Sequence, residues 1–166
     1  MIRKYCLSSL LYFIVFRSIN ILSSNIIMSL TPAERVRKLI KESATCIIST
    51  ASPSGKPESA VMLFSDDDKG NLYIYTFNDS RKYSNIIKNP LASIIIHEGD
   101  GYVQMDGKIT ELSDDEMFRA KKSLIEKHGE SEFLSDSRSQ YFIFKPTWIR
   151  IQVKADYPPE YIVIKE

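Results

Sequence analysis

Leu72-Tyr73-Ile74-Tyr75-Thr76-Phe77-Asn78-Asp79-Ser80-Arg81-Lys82 runs from a β-prone segment straight into a helix start that carries a hydroxyl and two cations. Its first half is built from large aliphatic and aromatic residues that favour strands. In its second half Asp79 is placed to cap a helix that continues through Arg81, Lys82, Ile86 and Ile87 to a stop at Asn89-Pro90. The free N–H groups of a first helical turn, the positive end of the helix dipole and two fixed cations together make a seat for an anion such as phosphate. A solvated Ser-Arg-Lys turn on an ordinary helix explains the same residues, because short motifs recur by chance.

Working outward, Thr31-Pro32-Ala33-Glu34 is a capping box with proline at the first helical position, and Ala33, Val36, Leu39 and Ile40 share a face, which predicts a helix over 32–43. Thr45–Thr50 and Ala60–Phe64 are strand-like and are joined by Pro53-Ser54-Gly55-Lys56. With the polar turn 66–70 and strand 71–77 they form a three-stranded meander. Beyond Pro90, Leu91–His97 and Tyr102–Leu112 read as strands around the turn Glu98-Gly99-Asp100-Gly101. In the second of these, Tyr102, Gln104 and Asp106 alternate with Val103 and Met105, giving one polar and one apolar face. Ser113-Asp114-Asp115-Glu116 opens a helix that runs to about Lys127 and ends at His128-Gly129. Gln140–Phe144 and Trp148–Val153 are expected as two strands parted by Lys145-Pro146, with a short edge at Tyr161–Ile164. Antiparallel strands joined by tight turns, with short helices at the edges, predict a mainly β, α+β domain built on a small barrel.

A chain of 166 residues, 43% apolar and 26% charged, suits one domain with a real core. Lys and Arg number 22 against 21 Asp and Glu, so no global field draws a polyanion and nucleic acid is a poor partner. Cys6 and Cys46 stand in unlike contexts, and His97 and His128 have no neighbouring Cys, Asp or Glu at a ligand spacing, so neither a disulfide framework nor a bound metal is expected. The G-x-G-x-x-G and G-x-x-x-x-G-K-[ST] loops are absent, so a phosphate here would not be held in Rossmann or P-loop fashion. Residues 1–27 form an N-terminal extension, read as a misassigned start or a targeting segment. Their apolar run, broken by Arg17, is shorter than the roughly 20 residues that span a bilayer. The domain is expected over 28–166, with a cytoplasmic location and no membrane partner.

Tyr75-Thr76-x-x-x-Ser80-Arg81-Lys82, followed by Asn89-Pro90-Leu91-Ala92-Ser93, together with Gly55-Lys56-Pro57 in the first hairpin and Gly107 in a later strand, resembles the pyridoxamine 5′-phosphate oxidase-like family of FMN-binding split barrels. The similarity covers about Leu39 to Leu112. It implies a six- to seven-stranded antiparallel split β-barrel and a homodimer with FMN between the subunits. Carried over by position, Ser80, Arg81 and Lys82 would take the FMN phosphate. Tyr75 and Thr76 would line the phosphate and ribityl end, and Val61, Met62 and Leu63 would run along the isoalloxazine edge. The family's flavin-contacting Gln falls on Tyr102 by strict count, and Gln104, two residues on and on the same face, is favoured in its place.

The chain also departs from the family's pattern. Ala60 stands where the full oxidases carry an Arg, which removes one phosphate contact, and Tyr161–Glu166 lacks the oxidases' Arg-x-His substrate motif. Trp148 and Arg150 are a loose echo of the oxidases' Trp-containing segment. The resemblance therefore implies an FMN-dependent oxidoreductase of the general-stress type acting on a small substrate or electron donor, rather than a pyridoxamine phosphate oxidase. No side chain stands out as a catalytic acid or base, and the flavin would carry the redox step. A non-catalytic module that senses or stores flavin or haem on the same barrel is the alternative. Whether FMN or a deazaflavin is preferred is left open, since Arg81 and Lys82 would serve either.

Overall fold

The computed structural model describes residues 30–98, 101–154 and 158–165; the expected 1–27 extension, the domain start at Met28 and the 99–100 turn lie outside them. The elements run α1 (Pro32–Glu42), β1 (Thr45–Ala51), β2 (Pro57–Asp66), β3 (Leu72–Phe77), α2 (Arg81–Lys88), β4 (Leu91–Glu98), β5 (Gly101–Glu111), α3 (Asp114–His128), α4 (Glu132–Ser135), β6 (Ser139–Lys154) and β7 (Glu160–Lys165). Sheet order is β3-β2-β1-β4-β5-β6-β7, and an additional β3–β6 pairing closes the first six strands into an antiparallel split barrel, with β7 added outside β6.

Strand alternation fills the barrel. Ile48, Phe64, Leu72, Ile74, Ile94, Ile96, Val103, Met105, Phe142 and Phe144 all point inward and are buried. Each such side chain contributes on the order of 1.5–3 kcal/mol by leaving water. The opposite face of β3 and β6 carries Tyr73, Tyr141 and Ile143, which pack with Ala120 and Leu124 of α3 and Leu134 of α4 into a second cluster. The two-faced reading of β5 holds: Val103 and Met105 are fully buried, while Asp106 is exposed. Both capping boxes form, at Thr31 with Glu34 and at Ser113 with Glu116. Among the described residues no helix is long and apolar enough to cross a membrane.

Two expectations need correction. Residues 139–154 form one strand of 16 residues rather than two. Pro146 falls where β6 changes neighbour: Ser139–Phe144 pairs with β3 and Ile149–Lys154 with β7, and among the described residues the stretch between them pairs with β5. Proline has no N–H to donate to a ladder, so it is accommodated best where a strand exchanges one neighbour for another. Thr147 is the extra residue of a bulge, since Asp106 pairs with Trp148 while Gly107 pairs with Pro146. A Cβ at Gly107 would stand 2.8 Å from Pro146 Cα and would run into the Lys145 carbonyl oxygen, so only glycine lets β6 approach. The second correction is α4, a four-residue helix where the sequence pattern predicts none.

Candidate functional site

The three residues between Phe77 and Arg81 turn the chain so tightly that the end of β3 and the first turn of α2 become neighbours. Thr76 Oγ1 and Ser80 Oγ lie 2.9 Å apart. Ser80, not Asp79, is the N-cap: its Oγ accepts the Tyr83 N–H at 3.2 Å, and its backbone is extended (φ −85°, ψ 153°). The expected cap is thus one residue early. Asp79 has a competing partner, the Arg138 guanidinium at 3.2 Å, which is itself fixed by Asp136 at 2.9 Å and by the Phe77 ring beneath it.

Arg81 and Lys82 occupy the first two helical positions of α2. With Ser80 they form one wall of a cleft of about 210 Å³, whose other walls are Ile48 and Thr50 of β1 and Glu58, Ser59 and Ala60 of β2. Antiparallel register puts Thr50 directly opposite Glu58. Glu58 shares the inward face of β2 with Ala60, Met62 and Phe64, so its carboxylate must find partners inside the cleft. Arg81 Nη1 donates to Glu58 Oε1 at 2.9 Å, and Asn85 Nδ2 donates to Glu58 Oε2 at 3.0 Å and to Thr50 Oγ1 at 3.2 Å. The pair is lopsided, because the Arg81 side chain is 80% exposed and that of Glu58 only 16%. Among the described residues Lys82 has no carboxylate partner. The lining therefore carries two cations and one acid.

The other expected site residues are distributed around this cleft. Thr76 is buried and joins it through Ser80. Tyr75 lies on the opposite face of β3, its ring 5.9 Å from that of Tyr141, and burial pushes its phenol above the ordinary range. Met62 points into the core, whereas Val61 and Leu63 point outward. Gln104 also faces outward, and its Oε1 accepts Arg150 Nη2 at 2.8 Å. The structure therefore brings Ser80, Arg81, Lys82 and Thr76 together and leaves Tyr75, Met62 and Gln104 apart from them. Sequence reading missed Thr50, Glu58 and Asn85. Asn85 had a usable signal, since it follows Arg81 by four residues and so lies on the same helical face.

The stretch 32–154 matches the family described as pyridoxamine 5′-phosphate oxidase. A pyridoxine/pyridoxamine 5′-phosphate oxidase from Bacteroides thetaiotaomicron is 29% identical over 93 residues, which is 53% of this chain and 44% of that protein. The chain spans less than half the length of the curated relatives it matches. Among solved structures, a heme binding protein from Mycobacterium smegmatis superposes with a TM-score of 0.71 at 16% identity, covering 82% of this chain and 58% of that one. General Stress Protein 26 from Bacillus anthracis does so with a TM-score of 0.59 at 22% identity, covering 79% and 97%. These two likenesses establish the fold. With a match that covers about three-quarters of the sequence, the chain belongs to the pyridoxamine 5′-phosphate oxidase family.

Proposed function

We propose that the protein binds FMN as a flavoprotein, with the flavin phosphate on Ser80, Arg81 and Lys82, and that it serves as an oxidoreductase for a small substrate or electron donor. The observation that carries this reading is the placement of one hydroxyl and two cations on the first turn of an eight-residue helix, facing a cleft walled by two strands. Such a turn offers N–H groups that no helical carbonyl satisfies, and it favours negative charge. Lys82 supplies a point charge, Arg81 a planar donor set, and the Thr76–Ser80 hydroxyl pair can donate toward an anion while Ser80 still caps α2. The residues present therefore fit a phosphate group.

A bound flavin supplies hydride and electron chemistry at its ring. The chain's own part is to hold the tail and fix the ring's position. Two copies are proposed to pair through the outer face of β1, β2 and β4, where Val61, Ile47 and Ile95 stand side by side and exposed, so that the flavin lies between subunits.

The test is the absorption spectrum of the purified protein with FMN titration, repeated for Arg81→Ala and Lys82→Ala. Removing either charge-assisted contact is expected to weaken FMN by on the order of 1.5–3 kcal/mol. Unchanged affinity in both variants would remove the phosphate from this cleft. A parallel haemin titration, read at the Soret band, separates this reading from a haem-binding one.

A further inference from the structure

Glu58 is an acid where a phosphate-binding cleft should have none. It sits on the inward face of β2, directly across from Thr50, and both its oxygens are engaged: Oε1 by Arg81 at 2.9 Å and Oε2 by Asn85 at 3.0 Å. Asn85 is 5% exposed and is itself tied to Thr50, which is 4% exposed, so the carboxylate is held from below by buried groups on two elements. Arg81 is different. Its side chain stands largely in solvent and reaches back over the cleft to Glu58. A fixed acid thus meets a movable cation, and the acid draws the cation across the cleft.

We infer that Glu58 is a specificity-determining residue that occupies Arg81 as an internal anion and so lowers the cleft's preference for a dianionic phosphate tail. This rests on the flavin reading above. A phosphate entering the cleft must share or displace the Glu58–Arg81 ion pair, and it also meets the Glu58 charge within a partly water-excluded lining, where like charges a few ångströms apart repel strongly. Lys82 and the helix start remain attractive, so the tail binds, but with the net pull of one cation rather than two. The consequence is a flavin held exchangeably, with much of the affinity left to the ring and ribityl chain rather than to the phosphate.

The experiment compares FMN with riboflavin, which lacks the phosphate, by fluorescence titration of the full chain and of Glu58→Gln and Glu58→Ala, with thermal melts to establish that each variant folds. The native chain is expected to prefer FMN over riboflavin by less than about a hundredfold, within the worth of a single charge-assisted bond. Both variants should raise that preference about fivefold or more, through FMN alone, with riboflavin affinity unchanged. A native preference beyond about a hundredfold overturns the inference even if neither variant folds. So does a preference that stays level or falls in the variants, since Glu58 would then be aligning Arg81 rather than occupying it. If neither FMN nor riboflavin binds to any of the proteins, the flavin reading itself fails and this inference with it; if FMN binds and the ratio does not move, only the inference fails.

Discussion

A single absent Cβ decides how β5 and β6 meet. At Gly107 the β6 backbone lies so close that any side chain would collide with the Lys145 carbonyl and with Pro146 Cα at 2.8 Å, and both obstacles are main chain that cannot swing aside. Gly107→Ala is therefore expected to destabilise the fold by about 1–3 kcal/mol, in the range of overpacking substitutions, read as a lower urea midpoint at unchanged slope. An unshifted midpoint would mean that the bulge at Thr147 can slide to absorb the methyl group. The same scale explains what could be read of the site. Ser80, Arg81 and Lys82 are consecutive, so their chemistry is visible in a line of text. Thr50 and Glu58 become neighbours only through strand register, and Glu58 is drawn to Arg81 only because β2 turns it inward. No local pattern announces an acid in a cationic cleft.

At the scale of elements, helix starts and hairpins were legible because their signals are local. Thr31 and Glu34 exchange the expected reciprocal bonds, with Thr31 N–H to Glu34 Oε2 at 2.8 Å and Glu34 N–H to Thr31 Oγ1 at 3.3 Å. β6 misled because a proline in a β-prone run is normally a break, and what rescues it is a change of neighbour far away in sequence. The α4 corner was missed for a related reason: four residues carry little periodicity, and the corner is secured by tertiary contacts, with Tyr141 Oη donating to the Leu134 carbonyl and Arg138 bridging Asp136 and Asp79. Hydrogen bonds from the Arg138 side chain and backbone hold the Asp136 carboxyl down to about 2. Its folded-state pKa lies below its unfolded value, so its contribution to stability is complete above the ordinary aspartate range and is lost as pH falls toward about 2. An NMR titration of the Asp136 carboxyl should give a midpoint near 2, and Arg138→Ala should return it toward the normal value. A midpoint already normal in the native chain would mean that the Asp136–Arg138 contact does not persist in solution.

For the whole molecule, the meander β1-β2-β3 and the β4-β5 hairpin come from short turns, but closure does not. β1 pairs with β4 and β3 with β6 across long stretches of chain, and nothing local specifies either pairing. Closure has an outer consequence as well as an inner one. It lines up Val61, Ile47 and Ile95 as direct cross-strand neighbours on the outside of the barrel, continuing through Gln104 to Arg150. Val61 is 68% exposed and Ile47 43%, in strands whose inward residues are almost fully buried. Isolated exposed aliphatics are ordinary, whereas a row of three β-branched residues on one sheet face is the patch through which two copies are proposed to pair. A stable dimer buries roughly 1,200–2,000 Å² in total, more than three side chains can supply, so a dimer formed through this patch would extend along the outward face to Leu63 and Leu91. Two acids placed in the middle of such a surface would face their own copies across a two-fold axis and add like-charge repulsion to lost apolar burial. Ile47→Asp combined with Val61→Glu is therefore expected to give a monomer by light scattering at about micromolar concentration, against a dimer for the native chain. If the flavin lies between subunits, the monomeric variant should also bind FMN at least tenfold more weakly, through the lost partner and through Val61, which the family resemblance sets along the isoalloxazine edge. A variant that remains dimeric places the interface elsewhere; a monomeric variant with undiminished FMN affinity confines the flavin to one subunit.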